Sequence, residues 1–180
     1  MGLFVGKDMS EAGEPAAESA VFREDFQVFY AREFRPVVGL AYVLLGSRSG
    51  AEDVTQEAFV AALRAWDRVG GFADPGAWVR RVVANRSVSW FRRRVAEGKA
   101  LMRLGRLDGQ TVEIDAEARE LWDEVRRLPR RQAQAIALHY LDQRKIPEIG
   151  LILGCSENTV KTHLQRGRET LGQRLDKEPR

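Results

Sequence analysis

The sequence predicts an all-α fold of two small helical domains joined by a flexible linker, and three observations carry the prediction. Apolar residues recur every three to four positions over most of the chain, and no segment alternates as a strand would. Helix-start signals recur as well: Ser49 lies three residues before Glu52, Asp74 precedes Pro75, and Ser156 precedes Glu157. Between the two helical stretches, residues 96–115 lose the period and turn polar. The chain therefore divides into a Gly-, Ala-, Ser- and Glu-rich start, 1–20, expected to be disordered; a helical domain, 21–95; the linker, 96–115; and a second helical domain, 116–176.

In the first domain, Phe22, Phe26, Phe29, Tyr30 and Phe34 mark one face of an opening helix. Pro36 reads as the first-turn proline of a second helix, with Val37, Leu40, Ala41 and Leu44 apolar and Gly46 at its end. Ser49 and Glu52 read as the capping box of a third helix that reaches Trp66. Residues 67–74 include Gly70 and Gly71 and read as a loop. Asp74 then caps, and Pro75 opens, a helix to about Arg94. In the second domain, helices start near Ala116 and again after Pro129, the latter running to about Leu141.

The last third reads as a helix-turn-helix. Pro147 suits a first helical turn, and Ile149, Ile152 and Leu153 give that helix a buried stripe. Gly154 supplies the turn and Ser156 caps the second helix through its hydroxyl. Val160, Leu164 and Leu171 recur at helical spacing and face inward. Asn158, Lys161, Thr162, Gln165, Arg166 and Arg168 fall largely on the other face, as donors and acceptors suited to a DNA major groove.

Composition narrows the function. No run of about 18 apolar residues is present and no basic-then-apolar leader, so the expectation is a cytoplasmic protein without membrane insertion. The single cysteine, Cys155, excludes an internal disulfide and makes no metal cluster, and His139 and His163 have no ligand spacing. No glycine-rich phosphate loop or nucleophile–base pair is seen; the expectation is neither an enzyme nor a cofactor binder. The net charge of +3 conceals blocks: −5 over residues 1–75, +8 over 76–106, −6 over 107–125 and +6 over 126–180. Two separate basic blocks point to two polyanion contacts.

The first basic block holds Arg80, Arg81, Asn85, Arg86, Arg92, Arg93 and Arg94, interleaved with Trp78, Trp90 and Phe91, with Phe72 in the loop before it. Guanidinium groups neutralise phosphates and aromatic faces stack unpaired bases. The residues alone leave two roles open for Trp78 and Trp90, core or stacking platform. Asp53, Gln56 and Glu57, beside Phe59, make an acidic helix face that suits a basic protein surface or plain solvent.

Ala51, Glu52, Asp53, Gln56, Glu57 and Phe59 resemble the AEDxxQExF signature of extracytoplasmic-function (ECF) sigma factors, the small bacterial promoter-recognition subunits of RNA polymerase. Ala77 and Trp78, Asn85 and the run Arg92 to Arg94 resemble the next part of the same domain. Leu128 and Pro129, Glu148 and Ile149, Thr159 to Lys161, and Arg166 to Arg168 resemble the family's C-terminal domain. The wording is nearest to actinobacterial members, and 24 arginines against 5 lysines fit a GC-rich genome.

The resemblance implies a sigma factor that binds core RNA polymerase and directs it to promoter DNA, sometimes held inactive by an anti-sigma factor. Asp53, Gln56, Glu57 and Phe59 would dock on polymerase. Phe72, Arg80, Arg81, Asn85, Arg86, Arg92 and Arg93 would hold the minus-ten element as single strand. Asn158, Lys161, Thr162, Gln165, Arg166 and Arg168 would read the minus-thirty-five element as duplex. Gly150 stands where the family usually has alanine, and Lys145 to Pro147 replace a serine-led approach. The alternative is a stand-alone helix-turn-helix regulator of response-regulator type. Such a protein usually carries a receiver or sensor domain, and residues 21–95 show no alternating strand–helix pattern.

Overall fold

The computed structural model describes residues 24–96 and 116–176, with side chains described for 24–90 and 118–176. Expectations for residues 1–20, and for the linker beyond Ala96, lie outside the described residues. The first unit comprises α1 (Phe26–Leu45), α2 (Arg48–Arg64), the single turn α3 (Trp66–Val69) and α4 (Pro75–Ala96). The second comprises α5 (Ala116–Arg126), α6 (Arg130–Ile136, extended by a wider turn over Ala137–Leu141), α7 (Ile146–Leu153) and α8 (Glu157–Leu175). Among the described residues no strand is present.

Two local expectations are corrected. Pro36 does not open a helix; it lies inside α1, which runs through it. An interior proline removes one helical hydrogen bond and costs about 3 kcal/mol. The buried face is continuous across it, through Phe29, Val37, Leu40, Ala41 and Leu44, and packing of that face outweighs the cost. The cap of α2 is Ser47, two residues before the expected one; its Oγ accepts from the Gly50 amide at 3.3 Å, while Glu52 pairs with Arg48 at 3.0 Å. Asp74 does cap α4, its Oδ1 accepting from the Ala77 amide at 2.9 Å.

The core of the first unit gathers Phe29, Val37, Ala41, Val54, Ala58, Phe59, Val79 and Val83, with Trp66, Trp78 and Trp90 packed against it. The two tryptophans left open by the sequence are thus packing residues. Trp90 lies on Gly50, where a Cβ would come within 2.5 Å of the indole. Gly50→Ala gains about 1 kcal/mol of helix propensity but must displace a large rigid ring, so a net loss of about 1–2 kcal/mol is expected. Chemical denaturation followed by circular dichroism checks this; a stabilised variant would contradict the packing.

A second core is shared. Leu40, Val43 and Leu44 of α1 and Ala77 and Ala84 of α4 pack with Val125, Leu128, Ile136, Leu138, Ile149, Ile152, Leu153, Val160 and Leu164 of the second unit. Helices α1 and α4 each have two apolar faces, one for their own unit and one for its neighbour. The two helical units are therefore docked on each other, with α4 lying against α7.

Candidate nucleic-acid interface

The helix-turn-helix forms as its residues dictate. Glu148 reaches back to the Lys145 amide at 2.7 Å, closing the first turn of α7. That bond, with Arg144 at 3.2 Å, holds the Glu148 carboxyl below the usual carboxylate range despite some burial. Gly154 has φ 65°, the left-handed conformation that favours glycine at a helix end. Ser156 Oγ accepts from the Thr159 amide at 3.2 Å and starts α8. Gly150 sits against the turn: a Cβ there would lie 2.9 Å from the Cys155 carbonyl, which accounts for glycine at this position.

Val160, Leu164, Gly167 and Leu171 are the buried stripe of α8. Asn158, Lys161, Thr162, Gln165, Arg166 and Arg168 are all exposed. Thr162 Oγ1 is tied to the Asn158 carbonyl at 2.9 Å and Gln165 to Glu169 at 2.9 Å, which steadies both before any ligand arrives. His163 is half-buried among them; burial, and then the charges of Arg131 and Arg166, push its imidazole below its ordinary value. The shift favours the uncharged ring, so the positive charge of this face rests mainly on lysine and arginine.

The basic residues of α4 are not brought together in the same way. Phe72 is exposed in the loop before α4, and Asn85 and Arg86 are exposed on the helix. Arg86 pairs with Glu57 of α2, so a residue expected on DNA and one expected on polymerase touch each other. Both are well exposed, and such a pair contributes little to stability. The side chains of Arg92 and Arg93 lie outside the described ones.

Arg80, expected on DNA, is only 3% exposed, because it sits on the face of α4 that meets the second unit. Its Nε and Nη2 donate to the two oxygens of Asp142 at 2.5 and 2.9 Å, and its Nη1 to Glu33 at 2.7 Å and the Gly76 carbonyl at 3.2 Å. Burial alone would lower the Arg80 pKa, but the bonds to Asp142 and Glu33 prevail and raise it. Burial likewise pushes Glu33 up, and the hydrogen bonds from Arg80 and Arg32 bring it net below its ordinary value. Arg81, half-buried, approaches the turn at Gly154.

Phe59 is also corrected. It is 2% exposed and stacks within the aromatic core against Tyr30 at 5.1 Å and Phe34 at 5.7 Å between ring centres. Asp53, Gln56 and Glu57 are exposed on α2, and the exposed apolar residues of that helix are Val60 and Leu63.

The residues that sequence reasoning missed are those binding the units to each other. Arg144 donates to Asp142 at 3.1 Å, to Glu148 at 3.2 Å and, across the boundary, to Asp74 at 3.0 Å. Gln134, buried, donates to the Ala84 carbonyl at 2.7 Å, and Arg126 to the Val43 carbonyl in the last turn of α1 at 3.1 Å. Among the described residues, no group of three or more His, Cys, Asp or Glu side chains could hold a metal ion, and no helix is long and apolar enough to cross a membrane.

Comparison with known proteins fits these two helical units. Residues 29–97 match the family model of sigma-70 region 2, and residues 118–171 that of sigma-70, region 4. The chain is 30% identical over 151 residues to the ECF RNA polymerase sigma factor SigW of Bacillus subtilis, covering 76% of this chain and 81% of that protein. It is 27% identical over 169 residues to the ECF RNA polymerase sigma factor SigM of Mycobacterium tuberculosis, covering 93% and 86%. The sigma factor RpoE, co-crystallised with the anti-sigma factor NepR from Bartonella quintana, superposes with a TM-score of 0.69 at 19% identity, covering 86% of this chain and 99% of that one. That last likeness speaks to the fold. With both regions matched in order, on helices that form the expected helix-turn-helix, the chain belongs to the ECF RNA polymerase sigma factors.

Proposed function

We propose that this chain binds core RNA polymerase and directs it to specific promoters, with the second unit reading the minus-thirty-five element and the first holding the minus-ten element. The observation that carries the reading is α8, a capped helix whose buried stripe leaves six polar side chains, Asn158, Lys161, Thr162, Gln165, Arg166 and Arg168, in the open. Such a face offers bidentate and phosphate donors at major-groove spacing. Phe72, Asn85, Arg86, Arg92 and Arg93 are the proposed minus-ten contacts, joined by Arg80 and Arg81 only once α4 is released. The chain supplies recognition rather than chemistry, acts in the cytoplasm beside polymerase, and is open to control by an anti-sigma factor. The region 2 match over residues 29–97 disfavours a stand-alone regulator.

Polymerase docking falls on the exposed face of α2: Asp53, Gln56 and Glu57, with Val60 and Leu63 taking the apolar part once expected of Phe59. Asp53→Ala with Gln56→Ala is expected to weaken core polymerase affinity about tenfold, as loss of two rim contacts does. Fluorescence titration with core enzyme measures it. Unchanged affinity would move the docking face elsewhere.

A further inference from the structure

Glu169 is out of place on α8. The buried stripe of that helix is Val160, Leu164, Gly167 and Leu171. At about 100° per residue, the direction opposite the stripe runs through Asn158, Thr162, Gln165 and Glu169. Lys161 and Arg168 flank that line on one side and Arg166 on the other. The centre of the proposed reading face is therefore uncharged except for one carboxylate, which the phosphates of a duplex repel. Glu157, the other carboxylate of α8, sits in the first turn, where the helix dipole favours it. Glu169 lacks that reason.

Glu169 is engaged instead with Gln165. The Gln165 Nε2 donates to Glu169 Oε1 at 2.9 Å, one helical turn on, and both residues are exposed. Among the described residues Glu169 makes this bond and no ion pair with the neighbouring Arg166 or Arg168. A carboxylate only accepts hydrogen bonds, whereas a glutamine amide has a donating end and an accepting end. Glu169 therefore selects one of the two orientations of the amide, with Nε2 toward it and Oε1 turned away. Left open to a ligand are Oε1 and the second Nε2 hydrogen, an acceptor beside a donor. That pair matches the N6 amino group and N7 of adenine in the major groove. Thr162 is preset in the same way, its hydroxyl hydrogen spent on the Asn158 carbonyl at 2.9 Å.

Position along the helix separates the roles of the two residues. In helix-turn-helix docking the first turns of the reading helix touch base edges. Asn158, Thr162 and Gln165 lie within about 12 Å of the helix start at Glu157, a distance comparable to the width of the major groove. Glu169 lies about 18 Å along, beyond the base edges and nearer the phosphates.

We propose that Glu169 is a positioning residue for promoter recognition: it contacts no base and holds the Gln165 amide in the orientation that reads an adenine of the upstream element. This rests on the promoter reading above. An amide released from Glu169 can turn over and offer donor and acceptor in exchanged places, which suits other bases as well. Losing the carboxylate therefore costs discrimination rather than affinity. Because the phosphates no longer meet a like charge, binding to every sequence should tighten.

The test uses the complex of this chain with core polymerase and a duplex library randomised over the upstream element. Wild type is expected to enrich adenine at one position where Gln165→Ala loses the preference. Duplexes differing only at that position are then compared by fluorescence anisotropy. Wild type should favour adenine over each other base by about tenfold or more, the range of one bidentate pair. Glu169→Ala should cut that ratio to about threefold or less by binding the other bases better, with preferences elsewhere unchanged. Glu169→Gln, which keeps an acceptor without the charge, should retain most of the ratio. A ratio undiminished in Glu169→Ala, or an equal loss of affinity for all four bases, would overturn the assignment. So would loss of preference at a position that Gln165→Ala leaves intact, which would make Glu169 a base reader itself. If the polymerase-bound chain enriches no upstream sequence, the promoter reading fails and the assignment with it. If a sequence is enriched but no position depends on Gln165, the promoter reading stands and the assignment fails.

Discussion

Alanine at both Lys161 and Arg166 is expected to weaken binding of the polymerase-bound chain to its upstream promoter element by about thirtyfold or more. Both side chains are exposed on α8, off the stripe of Val160, Leu164, Gly167 and Leu171 that fastens the helix to its unit. The fold should therefore survive and the loss should report recognition. A base or phosphate contact is worth about 1–3 kcal/mol, so two give at least about 2 kcal/mol. If both contact phosphate, the slope of log affinity against log salt also falls by about two. Fluorescence anisotropy with labelled duplex, across a salt series, reads both quantities. Undiminished affinity would displace α8 as the reading helix, whereas a loss of folding would mean that these residues hold up structure.

Phe29→Ala is expected to be the most destabilising change in the first unit, by about 3–5 kcal/mol. Phe29 is fully buried and touches three aromatic neighbours, Trp66 at 4.8 Å, Phe59 at 5.8 Å and Phe26 at 6.2 Å between ring centres. These rings come from α1, α2 and α3, so one truncation opens a void where three elements meet. A unit of this size should lose more than about 10 °C in Tm. Because α2 is fixed by the same cluster, polymerase docking should fail at a temperature where the wild type still binds. Thermal circular dichroism checks the first expectation; a fall of only about 2 °C would mean that the aromatic cluster is not the keystone of this unit.

What the sequence disclosed depended on how local each signal was. Ser156, Gly154 and the stripe Val160, Leu164, Leu171 act within two turns of one another, so the helix-turn-helix was readable residue by residue. Pro36 misled because proline is most familiar in a first turn, and only the apolar face running on both sides of it shows one helix. Phe59 carried a sequence signature that names a residue but not a direction. Its spacing with Thr55, Ala58 and Ala62 was the available clue that it faces inward. Arg80 lies between Ala77 and Ala84 on the face turned to the second unit, a hint of burial hidden by the surrounding arginines. Its partner Asp142 is 62 residues away, and no local pattern joins the two. Pairings of that kind are set by docking of whole units, which periodicity and capping do not encode.

The most direct test of the central claim is titration of the labelled chain with bacterial core RNA polymerase, followed by competition with a housekeeping sigma factor. Saturable binding that the competitor displaces is the predicted result, since the chain would occupy the site that any sigma factor takes. Absence of binding by a folded chain free of co-purified inhibitor would contradict it.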